Sequence, residues 1–160
     1  MKITNCTQED FLDIHKRLAE FWPARGQDFL RRVRTLHHPL FVNEFANTAY
    51  VMKKDGEVVA YLLGLFSQKE PAAYIHLLCV HPDHQRRGLA ARLCEHFIAE
   101  AKAHGCKHLK SATSVANAPS IAFHKSLGMS LLGEPNEHGI PVVRDYSGPG
   151  EHRVVFWRTL

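Results

Sequence analysis

The segment from Val80 to Ala90 joins the end of an apolar run to a short basic turn and the start of an amphipathic pattern. Its sequence is Val80-His81-Pro82-Asp83-His84-Gln85-Arg86-Arg87-Gly88-Leu89-Ala90. A helix that begins directly after such a turn presents unpaired backbone N–H groups and the positive end of its dipole to an anion. Gly88 and Ala90 keep bulky side chains away from a close approach to the backbone. The segment therefore predicts a strand, a phosphate-binding turn and a helix in succession.

This turn differs from the two standard nucleotide-binding loops, because the chain contains neither G-x-G-x-x-G nor G-x-x-x-x-G-K-[ST]. Instead, Gln85-x-x-Gly88-x-Ala90 after a strand ending in Val-His-Pro resembles the acyl-CoA pyrophosphate loop of the GNAT superfamily of N-acetyltransferases. The resemblance implies that acetyl-CoA is the acyl donor and that its pantetheine arm pairs with the free edge of the fourth strand. The implied cofactor-binding residues are Leu78, Cys79, Val80, Gln85, Arg86, Arg87, Gly88, Leu89, Ala90 and Asn117.

A second motif lies downstream and reads Asn117-Ala118-Pro119-Ser120-Ile121-Ala122-Phe123-His124-Lys125-Ser126-Leu127-Gly128-Met129. It is similar to the GNAT pattern of an asparagine, a short helix and Leu-Gly-Phe. The similarity implies that Asn117 contacts pantetheine, and it puts His124 where a tyrosine commonly protonates the departing thiolate. Imidazole titrates near about 6.5 and phenol near about 10, so the acid role is not carried over automatically. Two interpretations stay open for His124, a catalytic residue or one that packs or orders a water.

His76 is the second candidate catalytic residue. It lies in the apolar run Ala72 to Val80, where many members of the family carry a glutamate that removes the amine proton. A polar side chain between Ile75 and Leu77 in a core strand also needs a hydrogen-bond partner. We therefore expect His76 to be either a general base or a histidine that is hydrogen-bonded to the backbone.

Hydrophobic periodicity and turn signals predict the other elements. A first helix is expected from about Gln8 to Trp22, with Thr7 as N-cap and with Pro23 and Gly26 as breakers. The segment His37 to Ala46 is expected to be an irregular covering loop. The further predicted helices are Gln27–Leu36, Gly88–His104 and Ala118–Leu127, and the predicted strands are Lys2–Thr7, Thr48–Met52, Val58–Phe66, Ala72–Val80, His108–Thr113, Met129–Leu132 and Val154–Trp157.

The order of these elements follows that of the GNAT family. Asp55-Gly56 between two strands indicates a hairpin, and the strand–helix–strand succession indicates a parallel crossover. We expect an α+β fold with a GNAT-like mixed, mostly antiparallel twisted sheet flanked by helices and splayed between the fourth and fifth strands. A single domain is expected to span residues 1–160. The turn-rich insertion Gly133–Gly150 is longer than ordinary connections, so it is expected to be functional or tethered by packing.

The composition limits the remaining classes of function. Hydrophobic residues make up 45% of the chain and charged residues 22%, without an apolar run long enough to cross a membrane, so a cytoplasmic location is expected. The four cysteines show no C-x-x-C spacing and are expected to be free buried thiols. The closest histidine pairs, His37-His38 and His81-x-x-His84, lack a third ligand at useful spacing, so no metal site is expected.

The activity implied by the resemblance is N-acetyltransfer from acetyl-CoA to a primary amine by direct transfer in a ternary complex. No covalent acyl-enzyme is expected, because the chain has no G-x-S-x-G nucleophile motif. One alternative is a catalytically weak acyl-CoA sensor, which the missing tyrosine favours. Another is a nucleic-acid-associated protein, suggested by the net charge of +4 and by Arg31-Arg32-Val33-Arg34, although no nucleic-acid motif accompanies these residues.

The sequence does not identify the amine acceptor, and a small molecule, a peptide and a protein all stay open. The resemblance assigns acceptor recognition to Arg25–Asn47 and to the final insertion, where Asp145, Tyr146 and Glu151 are candidate lining residues. Dimers are common in the family, so a homodimer is an open alternative. Neither a membrane nor a nucleic acid is an expected partner.

Overall fold

The computed structural model describes residues 1–23 and 27–160, and of Gln27 only the backbone. Arg25 and Gly26, which begin the expected acceptor segment and end the expected first helix, lie outside the described residues. The described chain forms two compact units, the first of Met1–Leu65 and His76–Ala99 and the second of Phe66–Ile75 and Glu100–Leu160. The expectation of a single domain stays a prediction.

The secondary structure largely follows the predicted order. The helices are α1 Gln8–Lys16, α2 Leu18–Phe21, α3 Gln27–Leu36, α4 Leu40–Asn43, α5 Leu89–Ala103 and α6 Ala118–Ser126, with short 3₁₀ turns at Ala46–Thr48 and Pro82–His84. The strands are β1 Ile3–Asn5, β2 Ala49–Lys54, β3 Glu57–Phe66, β4 Ala72–Val80, β5 His108–Thr113, β6 Ser130–Leu132, β7 Glu134–Pro135, β8 Pro141–Val142 and β9 Val154–Thr159.

Within the described residues, seven strands form one sheet in the order β1-β2-β3-β4-β5-β9-β6. The pairs β1–β2, β2–β3, β5–β9 and β6–β9 are antiparallel, and β4–β5 is parallel. The parallel ladder runs from Ala72–His108 to Ile75–Ser111 and ends there, before the end of either strand. This mixed, mostly antiparallel sheet flanked by helices confirms the expected α+β class.

The first helix begins where the sequence indicates but is interrupted. Thr7 is its N-cap, and a capping box joins the Thr7 side chain and backbone to Asp10. The expected continuous helix to Trp22 is wrong, because Arg17 separates α1 from α2 with non-helical dihedral angles of φ −106° and ψ 17°. The Arg17 guanidinium donates to the Val58 carbonyl oxygen at 3.2 Å, which ties the break to β3.

The core of the first unit is a continuous apolar cluster to which the helices and strands both contribute. Its buried members include Phe11, Ile14, Phe21, Val33, Phe41, Val51, Tyr61, Leu63 and Leu77. The segment after α3, expected to be an irregular covering loop, instead contains helix α4. It also contributes buried side chains, because Phe41 and His37 are 7% and 1% exposed.

The second unit contains the rest of the sheet, helix α6 and the long insertion. Strand β9 lies between β5 and β6, and its Val154, Val155 and Phe156 are buried. The insertion is tethered, because β7 and β8 form a small antiparallel hairpin and Val143 bridges to Arg153. The sequence did not indicate these short strands.

Candidate functional site

The turn between β4 and α5 is folded back onto the strand that precedes it. The Gln85 side-chain amide donates to the Val80 carbonyl oxygen at 3.1 Å. The Asp83 N–H donates to His81 Nδ1 at 3.3 Å, which fixes the start of the 3₁₀ turn. Arg86 and Gly88 both have positive φ values, of 58° and 74°. Gly88 suits its position, since glycine occupies the left-handed region without the steric cost of a side chain.

The backbone N–H groups from Arg86 to Ala90 have no hydrogen-bond acceptor in the described part of the chain. Among residues 1–23 and 27–160, no acceptor binds the N–H groups of Arg86, Arg87 or Gly88, and the N–H groups that begin α5 are unpaired by helix geometry. A Cβ atom placed on Gly88 would have no heavy atom within 4 Å, so the space beside this backbone is open. Such a row of N–H groups at a helix N-terminus is suited to an anion.

This turn carries two arginines, and its acidic residue, Asp83, lies nearest to His81 at 3.9 Å. Arg86 and Arg87 are exposed, and neither forms an ion pair with a carboxylate in the described part of the chain. One Arg87 guanidinium N–H donates to the Asp83 carbonyl oxygen at 3.1 Å, which holds the side chain over the turn. Leu89 is buried and Ala90 is partly buried, so these two residues are available to a ligand chiefly through their backbone.

The end of β4 carries the three strand residues predicted to contact the cofactor. Leu78, Cys79 and Val80 are each partly buried. The Cys79 thiol donates to the Phe21 carbonyl oxygen at 3.4 Å, and burial raises the pKa of Cys79 to about 12. A thiol with so high a pKa is not a nucleophile at neutral pH. This agrees with a site that binds an acyl donor without forming an acyl-enzyme.

His76 has the backbone partner that its position in a core strand requires. Its Nε2 atom lies 2.9 Å from the Leu36 carbonyl oxygen, and its ring stacks on Phe41 at a centroid distance of 4.7 Å. Burial lowers the pKa of His76, against a smaller opposing effect of the Leu36 hydrogen bond. The neutral ring therefore keeps its proton on Nε2, because a carbonyl only accepts, and leaves the Nδ1 lone pair available.

Asn117 is the N-cap of α6 in the second unit. Its Oδ1 atom accepts from the Ser120 N–H at 3.3 Å, and its amide nitrogen donates to Thr113 Oγ1 at 3.1 Å. A side-chain amide has two N–H donors, so one of them is left for a ligand. Helix capping alone is a sufficient structural reason for an asparagine at this position.

His124 lies on the same helix and is linked to Asn117 through Ser120. Its Nδ1 atom is 2.8 Å from the Ser120 carbonyl oxygen, and its ring stacks on Phe156 at 4.3 Å. The side chain is 5% exposed, and its Nε2 atom is buried without a hydrogen-bond partner in the described part of the chain. Burial lowers the pKa of His124. The neutral ring donates from Nδ1, so Nε2 has a lone pair and no proton.

The predicted site residues thus fall into two groups. His76, Leu78–Val80 and Gln85–Ala90 belong to the first unit, whereas Asn117 and His124 belong to the second. The sequence analysis missed Leu36 and Phe41, which hold the His76 ring. Every residue has a carbonyl, so no pattern could have identified Leu36.

The insertion uses two of its three candidate residues internally. Asp145 Oδ1 accepts from the Gly150 N–H at 2.7 Å, and Glu151 pairs with Arg153 at 2.8 Å. Tyr146 is 38% exposed and is hydrogen-bonded to Tyr74, whose pKa is raised by burial and by Tyr146. All three candidates are exposed, so each has surface available to a substrate.

The described residues contain neither a membrane-spanning helix nor a cluster of metal-binding side chains. Within residues 1–23 and 27–160, no helix is long and apolar enough to span a bilayer. The same residues contain no group of three or more His, Cys, Asp or Glu that could hold a metal ion. The expected cytoplasmic location stays a prediction.

Comparison with known sequences identifies a family and several relatives. Residues 11–129 match the family model described as "Acetyltransferase (GNAT) family". The chain is 26% identical over 131 residues to the aminoglycoside N(6')-acetyltransferase type 1 of Acinetobacter genomosp. 13, which spans 80% of this chain and 88% of that protein. It is 31% identical over 81 residues to the ribosomal protein bS18-alanine N-acetyltransferase of Escherichia coli K12, which spans 51% of this chain and 53% of that protein.

Comparison with solved structures supports the same fold. The PaiA N-acetyltransferase of Thermoplasma acidophilum, solved in complex with coenzyme A, superposes with a TM-score of 0.76. The superposition covers 99% of this chain and 98% of that chain at 12% sequence identity. At this identity the likeness establishes the fold.

Proposed function

This chain belongs to the acetyltransferase (GNAT) family, and we propose that it transfers the acetyl group of acetyl-CoA directly to a primary amine. The observation that carries the proposal is the turn between β4 and α5. Its unpaired N–H groups, open space beside Gly88 and exposed Arg86 and Arg87 together match a diphosphate.

The donor half of the reaction uses groups from both motifs. The N–H groups of residues 86–90 bind the pyrophosphate of CoA, and the Gln85 side chain holds the loop against β4. The backbone of Leu78 to Val80 pairs with the pantetheine arm. The resemblance to the family also assigns Asn117 to pantetheine, and this residue has one amide N–H left for a ligand. These contacts hold the thioester in place, so that the amine attacks in a ternary complex without prior acylation of the protein.

His76 removes the proton of the amine. The neutral ring is favoured by burial, and its Nε2–H is occupied by the Leu36 carbonyl, so Nδ1 accepts the proton directly or through one water. The neutral amine nitrogen attacks the thioester carbonyl carbon and becomes cationic in the tetrahedral intermediate. It passes one proton to His76 as this intermediate collapses with cleavage of the carbon–sulfur bond. The products are the N-acetylated amine and the CoA thiolate.

His124 acts on the thiol side through a water. Its neutral ring has no proton on Nε2, so it does not protonate the thiolate as a tyrosine would. A buried acceptor without a protein partner is typically satisfied by an ordered water. We infer that such a water, held at Nε2, supplies the proton of the departing thiolate. The proton that converts thiolate to thiol thus comes from solvent through this water.

For the acceptor, the proposal names only a chemical class, a primary amine. The relatives are named for an aminoglycoside and for the alanine of a ribosomal protein, so primary amines of very different size are acetylated within the family. Each of these relatives is named as an acetyltransferase, which supports an enzyme over the alternative of a catalytically weak acyl-CoA sensor. A homodimer stays a prediction.

A thermal-shift titration with acetyl-CoA, run beside ATP and NAD at equal concentration, tests the donor site. A ligand at a hundred times its Kd adds about 2.7 kcal/mol of stability, which raises the Tm by several degrees. We expect a shift with acetyl-CoA that ATP and NAD do not reproduce. Equal shifts with all three ligands, or none with acetyl-CoA, would contradict the proposal.

Substitution of His76 tests the base. We expect His76→Gln to lower kcat by about 10²-fold or more, the contribution of a positioned general base, with acetyl-CoA binding retained. His104→Gln is the matched control, because His104 also stacks on a phenylalanine, Phe66, at 4.1 Å. Equal activity of the two variants would remove His76 from the mechanism.

A further inference from the structure

A buried hydrogen-bond network in the first unit takes no direct part in the steps above, although its tyrosine hydroxyl interacts with the side chain of Cys79, whose backbone is assigned to pantetheine. Tyr61, fully buried in β3, lies at its centre. The Tyr61 hydroxyl is 2.7 Å from the Trp22 indole nitrogen and 2.7 Å from His37 Nε2. His37 Nδ1 is in turn 2.7 Å from the Val33 carbonyl oxygen. Burial lowers the pKa of His37 to about 4, so its ring is neutral in the folded protein.

The chemistry of the partners fixes every proton in this network. The Val33 carbonyl only accepts, so the single proton of neutral His37 is on Nδ1. His37 Nε2 is therefore an acceptor, and the Tyr61 O–H donates to it. The indole N–H of Trp22 only donates, and it fills a lone pair of the same hydroxyl. Each polar group at the centre is satisfied, with one arrangement of hydrogens.

His37 is also held at its backbone. Its N–H donates to the Val33 and Arg34 carbonyl oxygens at 3.2 Å each. Its carbonyl oxygen is 2.8 Å from His15 Nε2. The residue is thus fixed through both ring nitrogens, its N–H and its carbonyl oxygen.

This anchoring reaches His76 through a single peptide unit. The N–H of His37 and the carbonyl of Leu36 belong to the same peptide bond, which is planar. That carbonyl is the one that accepts from His76 Nε2 at 2.9 Å. A rotation or displacement of His37 therefore turns the Leu36 oxygen away from the His76 ring.

We propose that Tyr61 and His37 are positioning residues, which fix the Leu36 carbonyl so that His76 carries its proton on Nε2 and presents Nδ1 to the amine. The proposal rests on the proposed role of His76 as the base. It assigns a function to polar groups that a core of this kind does not need, since apolar residues of similar volume fill such space without requiring partners.

Tyr61→Phe removes the hydroxyl and keeps the ring in the core. His37 Nε2 and the Trp22 N–H are then left unpaired in a buried site, so His37 is expected to reorient. The matched control is Tyr50→Phe, which removes a buried tyrosine hydroxyl that donates to the Asn47 carbonyl oxygen at 2.7 Å. Tyr50→Phe removes the hydroxyl bond to Asn47, whereas Tyr61→Phe removes the bonds to His37 and Trp22. Of the two tyrosines, Tyr61 is the one linked to Leu36 through the contacts described above.

The measurement is the tautomer of His76 by ¹⁵N NMR of histidine-labelled protein, with the resonance assigned by its absence in His76→Gln. We expect His76 to be Nε2–H in the wild type and in Tyr50→Phe, and to be a mixture of both tautomers in Tyr61→Phe. We also expect kcat of Tyr61→Phe to fall about tenfold, part of the roughly 10²–10⁴-fold contribution of a general base, while KM for acetyl-CoA changes less than twofold.

The outcomes separate this proposal from the function on which it rests. If His76 keeps a pure Nε2–H tautomer in Tyr61→Phe, the positioning role is wrong, whatever the activity of His76→Gln. If the tautomer changes but kcat does not, and His76→Gln is active, the role of His76 as base is wrong. Should Tyr61→Phe fail to fold, His37→Asn removes the Nε2 acceptor of the Tyr61 hydroxyl and so breaks the same link from its other side. An unchanged His76 tautomer in that variant would also overturn the proposal.

Discussion

Replacing Gly88 with alanine separates the anion-binding role of the turn from its role in folding. Gly88 has a φ of 74°, and a Cβ atom there would have no heavy atom within 4 Å. The cost to the folded chain is therefore one of backbone conformation and not of a clash. The exposed Gly139 in the turn between β7 and β8 is a matched control, because its φ is 73° and its Cβ would also meet nothing within 4 Å.

The two substitutions are expected to destabilise the fold equally. A residue with a side chain in the left-handed region costs about 1–2 kcal/mol, which lowers the Tm of a domain of this size by several degrees. Only Gly88→Ala places a methyl group beside the N–H groups that we propose to bind the pyrophosphate. Loss of one charge-assisted hydrogen bond is worth about 1.5–3 kcal/mol, so the Kd for acetyl-CoA is expected to rise about tenfold or more.

Thermal unfolding with and without acetyl-CoA measures both effects. At a concentration of a hundred times the wild-type Kd, the stabilisation by the ligand is expected to fall from about 2.7 to about 1.4 kcal/mol or less in Gly88→Ala. Gly139→Ala is expected to keep the wild-type increment. The reasoning is refuted if the two variants respond equally to acetyl-CoA, or if only Gly139→Ala loses the response.

Three further predictions concern buried residues. His124→Phe keeps the stacking on Phe156 and removes a buried nitrogen that has no partner, so the Tm is not expected to fall. In a thiol-release assay, kcat is expected to fall about tenfold. A large loss of Tm would instead assign His124 to packing. Because the pKa of His37 is lowered to about 4, the unfolded chain binds more protons between pH 6.5 and 4, and stability is lost as the pH falls through this range. In denaturant unfolding, the free energy of unfolding is expected to fall between pH 6.5 and 4 by about 3 kcal/mol more in the wild type than in His37→Gln. An equal pH dependence of stability in the two proteins would contradict the buried neutral ring. Gly64→Ala brings a Cβ atom to 2.7 Å from Phe97 Cζ, so the free energy of unfolding, measured with denaturant, is expected to fall by about 1–3 kcal/mol. An unchanged midpoint would mean that the buried Phe97 ring moves to make room.

The sequence was most informative where a local pattern has a local cause. The N-cap Thr7, the strand Ala72–Val80 and the helix over Gln27–Leu36 were predicted because capping and periodicity depend on neighbouring residues. The interruption at Arg17 was not predicted, because it involves a hydrogen bond to Val58, which is distant in sequence. The short strands β7 and β8 were also missed, since each has only two residues and no periodicity.

The candidate site could likewise be predicted only where its features are local in sequence. The turn between β4 and α5 could be predicted because its glycine, its basic residues and the helix that follows are contiguous. The protonation of the two histidines could not, because it depends on carbonyl groups of Leu36 and Ser120. Sequence comparison with the family indicates which positions matter, and the hydrogen bonds decide which nitrogen of each ring carries the proton.

The most direct test of the central claim is a transfer assay with acetyl-CoA and a panel of primary amines that includes aminoglycosides and peptides with free N-termini. Thiol release and the mass of the acceptor are followed together, for the wild type and for His76→Gln. We predict thiol release that depends on the amine, an acceptor heavier by one acetyl group, and a loss of both in His76→Gln. Thiol release without any acetylated amine, or equal transfer by the variant, would contradict the mechanism.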